Sequence, residues 1–182
     1  MHNERKMRQS ATQLIISNNR AKIIALCLSL STIVLYASHV GTSAFALDAS
    51  DGCLLGGTLL QRVTFHFFHA NVIHLVMNIY CLLCLAFLFE LSLTRMFLAY
   101  LIAASYPTVL FPPDLPIIGL SGCIYAAIGL IFFNYDLRML VLVSLGMYSC
   151  FGLLFGNFAV GLHLYCFFAG FLVSLITSDI FD

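Results

Sequence analysis

Long runs of apolar residues, separated by short polar stretches, dominate this chain. The first run covers residues 23–40, and as a helix rising 1.5 Å per residue it reaches roughly 27 Å, close to the ~30 Å hydrocarbon core of a bilayer. The last, residues 139–177, contains no charged side chain. As one helix it would reach roughly 58 Å, about twice that core, so it must fold back near residues 152–157. The pattern therefore predicts six membrane-spanning helices, at residues 23–40, 73–89, 96–111, 117–133, 139–153 and 159–177.

The connections between these helices also predict structure. Residues 41–71 form a long first connection that is polar at its start and aromatic at residues 65–68. Rings next to polar tips favour the headgroup zone, so we expect this stretch, including His66, at the membrane interface. The prolines between residues 112 and 116 are expected to end the third helix. One alternative stays open for the first run, because Ala-Phe-Ala at residues 44–46 resembles the cleavage site of a signal peptide.

Composition sets the class of protein. The chain has 182 residues, 62% hydrophobic and 9% charged, with a mean hydropathy of +1.02 and a formal net charge of zero. Soluble domains carry roughly 25% charged residues, so we expect an all-α integral membrane protein in contact with the lipid bilayer. A nucleic-acid partner is not expected, because such partners usually require a basic face. No linker divides the chain, which predicts a basic N-terminal segment (residues 1–22) and a single membrane domain (residues 23–182).

The basic residues predict the orientation of the helices. Six spans put both termini on one side of the membrane, and seven of the eight lysine and arginine residues then fall on that side: Arg5, Lys6, Arg8, Arg20, Lys22, Arg95 and Arg138. The exception is Arg62, in the first connection. Because cytoplasmic loops carry an excess of basic residues, both termini are expected in the cytoplasm. A chain this minimal favours a bacterial inner membrane.

The cysteines predict no redox or metal framework. Six of the seven fall inside apolar runs, where thiols usually act as small hydrophobic side chains, and Cys53 lies in a loop. The spacing Cys81-x-x-Cys84 falls in the middle of a predicted membrane helix, without the context that redox motifs need. We therefore expect no cofactor.

A few polar side chains lie at the outer ends of the predicted membrane helices. His69, His74 and Asn78 lie at or near the start of the second helix. Ser121 opens the fourth helix, and His163 lies about one turn into the sixth. Ionisable and amide groups at that depth are costly, face the protein interior and are functional candidates by default. Because all three helices enter the membrane from outside, we predict that these groups meet near the outer leaflet.

These residues have the chemistry of nucleophilic catalysis. A serine hydroxyl needs a base within hydrogen-bond reach, and the oxyanion formed on attack of an amide needs preorganised donors. Ser121 would be the nucleophile and His163 the base. His74, Asn78 and the Ser121 backbone N–H would be the donors. No carboxylate lies at that depth, so we expect a Ser–His dyad, with Tyr125 holding the imidazole. In the simpler structural alternative, Ser121 bonds the carbonyl one turn back while the neighbouring glycines allow close helix packing.

Three motifs in order resemble those of the rhomboid intramembrane serine proteases. His69, His74 and Asn78 look like the family's H-x-x-x-x-H-x-x-x-N signature. Gly-Leu-Ser-Gly at residues 119–122, followed by Tyr125, resembles the G-x-S-G motif. Any one of these motifs alone is weak, whereas the ordered set at matching depth is specific.

The third motif is His163 with Gly170, which resembles the H-x-x-x-x-x-x-G of the last core helix. The similarity covers nearly all of the chain after residue 21, and six spans match the minimal bacterial form of the family. It implies hydrolysis of a peptide bond in or near the transmembrane segment of a substrate protein, with Ser121 attacking and His163 as general base. The residues that the motifs assign to oxyanion stabilisation or support are His74, Asn78, Gly119, Tyr125 and, as a further candidate, His69.

Two positions depart from the family pattern. Gln61 precedes Arg62 where the family usually has tryptophan, and Arg62 stands one residue closer to His69 than is usual. Cys166 replaces the glycine usual three residues after the base, which bears on how tightly the sixth helix packs on the fourth.

Two other functions stay open from the sequence. One is a non-catalytic relative that binds transmembrane helices without cutting them; such relatives typically lose the serine or the histidine, and this chain keeps both. The other is a haem or metal protein. A metal site would use the histidines His66, His69, His74 and His163. A haem would be held by His74 and His163 across two helices.

Overall fold

The computed structural model describes residues 2–48, 53–89, 91–113, 115–132 and 159–181, and within them the protein is helical. The helices are α1 (His2–Ala37), α2 (Leu59–Thr64) followed by a 3₁₀ turn (Phe65–Phe67), α3 (Val72–Phe87), α4 (Leu93–Ala104), α5 (Ser121–Ile131) and α6 (Val160–Phe181). In these ranges β-structure is limited to one isolated antiparallel bridge between Leu47 and Ile117. The predicted all-α class is confirmed.

Two of these helices are long and apolar enough to cross a membrane, over Asn19–Ala37 of α1 and Val160–Thr177 of α6. A third candidate is the pair Leu59–Phe67 and Val72–Phe87, which is bent by 86°. Helices α4 and α5 are apolar but shorter. The predicted fifth span, residues 139–153, and its break at 152–157 lie outside the described residues. The described part therefore has two or three candidate spans, and the total of six stays a prediction.

Two predicted helices are shorter in the structure than in the sequence pattern. The third was expected over residues 96–111, but α4 ends at Ala104. Its terminator is Pro107 and not the later prolines, because the residue before a proline is driven out of helical conformation. The fourth was expected from residue 117, but α5 begins at Ser121. Residue 117 pairs with Leu47 instead.

Side-chain caps fix the start of the two helices that precede the site. Thr58 accepts a hydrogen bond from the Gln61 N–H, and the Gln61 side chain accepts one from the Thr58 N–H, so α2 begins with a capping box. Asn71 accepts a hydrogen bond of 2.8 Å from the His74 N–H at the start of α3. The second cap places His74 in the first turn of α3.

The first connection is folded into the protein. Arg62, which is 5% exposed, donates hydrogen bonds from its guanidinium to the carbonyl oxygens of Ala104 (2.7 Å), Tyr106 (3.0 Å) and Gly56. The side chain of His66 is fully buried within the protein, so it is not an exposed polar tip, and its depth in the membrane stays a prediction. Arg62 holds the connection against the end of α4, and Phe65, His66 and Phe68 beyond it are buried in the protein.

Glycines allow α5 and α6 to pack at backbone contact. A Cβ on Gly129 would collide with the carbonyl oxygen of Phe167 in α6, and a Cβ on Gly170 would collide with that of Ala126 in α5. Cys166 is completely buried in the same core. The α5–α6 contact is the most extensive helix pair in the described structure, although Cys166 departs from the family's glycine.

Replacing Gly170 by alanine is expected to lower the free energy of unfolding by about 1–2 kcal/mol. The overpacking cost of about 1–3 kcal/mol exceeds the gain in helix propensity of up to about 1 kcal/mol, because the neighbour is backbone and cannot swing away. The matched control is Gly161→Ala on the same helix, whose new methyl would lie 2.7 Å from the Tyr106 hydroxyl, the end of a side chain, and against no backbone atom of another helix. Titration with SDS in mixed micelles measures both variants. Equal losses for the two would contradict backbone contact as the cause.

Candidate active site

Ser121 occupies the first position of α5. The turn before it is held by Gly119, whose φ of +116° is a conformation that favours glycine. The Gly119 N–H donates a hydrogen bond of 2.9 Å to the Phe65 carbonyl, which attaches this turn to the 3₁₀ segment. At a helix N-terminus the first N–H groups have no partner within the helix and attract negative charge. The serine is therefore presented beside backbone donors.

His163 and Ser121 meet across the α5–α6 interface. His163 Nε2 and Ser121 Oγ are joined by a hydrogen bond of 2.8 Å, and each side chain is 4% exposed. In the tautomer protonated at Nδ1, the hydroxyl donates to Nε2. The Tyr125 ring, one turn along α5, stacks on the imidazole at a centroid distance of 4.4 Å and an angle of 19°. The stacked tyrosine fixes the imidazole plane relative to the hydroxyl.

His74 and Asn78 reach the serine turn from α3. They are four residues apart and share one helix face. A Cβ placed on Gly119 would lie 2.8 Å from His74 Nε2 and 3.3 Å from Asn78 Nδ2, so the two side chains occupy the space beside the glycine. Asn78 is fully buried, and His74 is half-buried. Two side chains with N–H groups thus converge next to the N-terminus of α5.

His69 lies one layer behind these groups. Its ring meets the His74 ring edge-on, with centroids 5.1 Å apart and an angle of 65°. The side chain is 4% exposed. Every residue predicted from the sequence therefore lies in one connected group, with His69 touching it through His74.

Sequence reasoning missed a second contact that holds the serine helix. His66 Nδ1 lies 3.3 Å from the Cys123 Sγ, and the imidazole packs between the Phe65 ring (3.7 Å) and the Tyr100 ring (4.9 Å). Together with the Phe65 carbonyl, His66 attaches the 3₁₀ segment to both sides of Ser121. The one sequence signal was a single polar residue within an aromatic run, which also describes an interfacial segment.

The four candidate histidines are not grouped together as ligands of one metal ion in the described structure. Among the described residues, which include all four candidate histidines, no group of three or more His, Cys, Asp or Glu side chains could hold a metal ion. His163 Nε2 is engaged by Ser121, and His66 Nδ1 faces Cys123. The arrangement that is present is a hydroxyl–imidazole pair with adjacent N–H groups.

The fold and the site define an α-helical integral membrane protein with a buried serine–histidine pair at a helix N-terminus. A family model, the Rhomboid domain, matches residues 56–180, which is more than half of the chain. The chain therefore belongs to the rhomboid family, whose members are generally serine proteases that act within membranes. A comparison with curated proteins gives no significant match.

Proposed function

We propose that this protein is an intramembrane serine endopeptidase that cleaves transmembrane substrate proteins. The observation that carries the proposal is the 2.8 Å hydrogen bond between Ser121 Oγ and His163 Nε2. A hydroxyl in hydrocarbon needs a hydrogen-bond partner, and for a purely structural serine the backbone carbonyl one turn back would be sufficient. A neutral imidazole at this distance is instead the base that a serine nucleophile requires.

The mechanism follows from the positions of the groups. Ser121 Oγ attacks the scissile carbonyl carbon while its proton passes to His163 Nε2. The oxyanion that forms is stabilised by the Ser121 N–H with His74 and Asn78. Collapse breaks the C–N bond, the imidazolium protonates the leaving amine, and the acyl group stays on Ser121. Water then attacks the ester carbon while His163 Nε2 takes its proton. The bond between that carbon and Ser121 Oγ breaks, the acid leaves, and the imidazolium returns the proton to Ser121 Oγ.

We further propose that the protein has six spans, with both termini in the cytoplasm and the site near the outer leaflet. The bias of basic residues toward one side supports this orientation. Residues 1–22 would then be a cytoplasmic segment and residues 23–182 the catalytic membrane domain. The proposed location is a bacterial inner membrane, where substrate and enzyme meet within the bilayer.

Labelling with a serine-directed fluorophosphonate tests the proposal. The parent protein in detergent is expected to be labelled at Ser121, because the probe needs an activated hydroxyl. Ser121→Ala and His163→Ala are both expected to lose labelling. The matched control is Ser105→Ala, since Ser105 is also a serine at a helix end and its hydroxyl pairs with Tyr165 Oη at 2.9 Å instead of with a base.

Two results would contradict the proposal. If His163→Ala is still labelled, the imidazole is not the base that activates Ser121. A folded parent protein that is not labelled would favour the rhomboid relative that binds transmembrane helices without cutting them.

A further inference from the structure

In the described structure, the start of α5 has no side-chain cap, unlike the starts of α2, α3 and α4. Thr58, Asn71 and Ser92 each accept a hydrogen bond from a backbone N–H in the first turn of those three helices. The residue in that position before α5 is Leu120, whose apolar side chain can accept none. A cap would occupy a donor of the first turn, and the proposed reaction needs such donors for the oxyanion. The start of α5 must therefore be held by a contact from another part of the chain.

Two consecutive residues of the 3₁₀ segment hold the chain on either side of Ser121. The Phe65 carbonyl accepts a hydrogen bond of 2.9 Å from the N–H of Gly119, two residues before the serine. His66 Nδ1 lies 3.3 Å from the Sγ of Cys123, two residues after the serine. In the imidazole tautomer protonated at Nε2, the thiol donates to Nδ1. The serine and its backbone N–H therefore lie between two points of attachment.

Aromatic neighbours set the direction of the His66 ring. The side chain is fully buried, and its ring centroid lies 3.7 Å from that of Phe65 and 4.9 Å from that of Tyr100 in α4. The Tyr100 hydroxyl donates a hydrogen bond of 3.1 Å to the Val63 carbonyl, which attaches α4 to the chain just before the 3₁₀ segment. In a close-packed interior, a ring held in this way cannot turn away from Cys123 without displacing its neighbours.

The rate of the proposed reaction depends on where the Ser121 N–H points. The oxyanion forms both when the serine attacks the substrate and when water attacks the acyl-enzyme, and the same donor stabilises it each time. A displacement of about 1 Å in a catalytic group can cost about 10²-fold in rate. Helix ends fray, and an end attached at one point can rotate about that point. The second attachment, through His66, restricts this rotation.

We propose that His66 is a positioning residue for the proposed reaction, which acts through Cys123 to hold the first turn of α5 in the orientation that the oxyanion requires. The inference rests on the proposed function and adds to it a residue that touches neither the substrate nor the reacting atoms. Because the oxyanion is absent from the bound substrate and forms only during the reaction, loss of the contact should lower kcat and leave KM nearly unchanged.

The test compares variants that remove this contact with one that keeps it. His66→Phe keeps an aromatic ring and removes both nitrogens. Cys123→Ala and Cys123→Ser both remove the sulfur, but only serine keeps a group that can donate to Nδ1. The control is Cys81→Ala, which removes a thiol from α3 that is half-buried, as Cys123 is. All variants are compared with the parent in detergent.

We expect kcat on a transmembrane substrate to fall about tenfold in His66→Phe and in Cys123→Ala, with KM within about twofold of the parent value. The double variant of these two should be no slower than either single variant, because each change removes the same contact. Cys123→Ser should stay within about threefold of the parent in kcat, since its hydroxyl replaces the thiol as donor. Cys81→Ala should match the parent.

Fluorophosphonate labelling separates a positioning role from a merely structural one. The phosphonyl oxygen of the probe takes the place of the oxyanion, so the rate constant of labelling should fall by the same factor as kcat. The final amount of labelled protein counts the folded enzyme and should equal that of the parent. A structural role alone would lower the final amount and leave the rate constant unchanged.

Three results would overturn this inference and leave the dyad in place. They are a kcat at the parent value in both His66→Phe and Cys123→Ala, a Cys123→Ser variant as slow as Cys123→Ala, and a loss confined to the final amount of labelled protein. A parent protein that is neither labelled nor active would overturn the proposed function and this inference with it.

Discussion

Replacing Ser121 by alanine is expected to lower the rate of cleavage of a transmembrane substrate by about 10³-fold or more. The variant lacks the oxygen that attacks the scissile carbonyl, while the N–H donors around it remain. The free energy of unfolding should fall by about 1–3 kcal/mol, because the buried His163 Nε2 loses its hydrogen-bond partner. Initial rates on a fluorogenic transmembrane peptide in micelles measure the effect.

The double variant Ser121→Ala/His163→Ala sharpens this prediction. Groups that act as one unit are strongly non-additive, so the double variant should be no slower than either single variant. Ser105→Ala, whose hydroxyl pairs with Tyr165, serves as control and should cleave at the parent rate. Two results would contradict the dyad. One is a cleavage rate of Ser121→Ala within tenfold of the parent rate, and the other is a loss of rate in the double variant that equals the product of the two single losses.

Replacing Arg62 by alanine is expected to cost about 3–5 kcal/mol of stability. The guanidinium is 5% exposed and serves three carbonyl oxygens, those of Gly56, Ala104 and Tyr106. Each buried acceptor left without a donor costs about 1–3 kcal/mol. Unfolding by SDS in mixed micelles measures the loss, and the fluorophosphonate labelling rate should fall with it, because the connection anchors the turn before Ser121.

The substitution Arg62→Lys distinguishes the effect of the positive charge from the effect of the planar guanidinium. Lysine keeps the positive charge but lacks the planar fork that reaches several acceptors, so Arg62→Lys should lose most of the stability that Arg62→Ala loses. Arg20→Ala, at an exposed position of α1, is the control and should change stability by less than about 0.5 kcal/mol. If Arg62→Lys equals the parent, the charge and not the fork matters.

The helices could be predicted better than their ends. The start of α3 was predicted to within one residue, because Asn71 is a local cap readable in the sequence. The C-terminal end of α4 and the start of α5 were not predicted. Residues 105–120 are apolar enough to continue a helix, but Pro107 and the pairing of Ile117 with Leu47 take them out of it. That pairing joins residues 70 positions apart, so no local pattern could reveal it.

The candidate site also contains residues that could be predicted from the sequence and one that could not. Ser121, His163, His74 and Asn78 could be predicted as a group because depth in the membrane restricts where rare polar residues can meet. His66 could not, because one histidine among aromatic residues describes an interfacial segment as well as a buried one. It is buried against Cys123 of α5, a residue 57 positions away in the chain.

By itself the sequence determined the membrane class, the helical architecture and the set of polar residues of the candidate site, because hydrophobicity and residue spacing are properties of the chain. The tertiary structure alone decided the 2.8 Å contact between Ser121 and His163 and the burial of Arg62 and His66. Those features depend on how closely helices approach one another. The approach of α5 and α6 is set by backbone contact at Gly129 and Gly170, and a linear pattern does not specify such a distance.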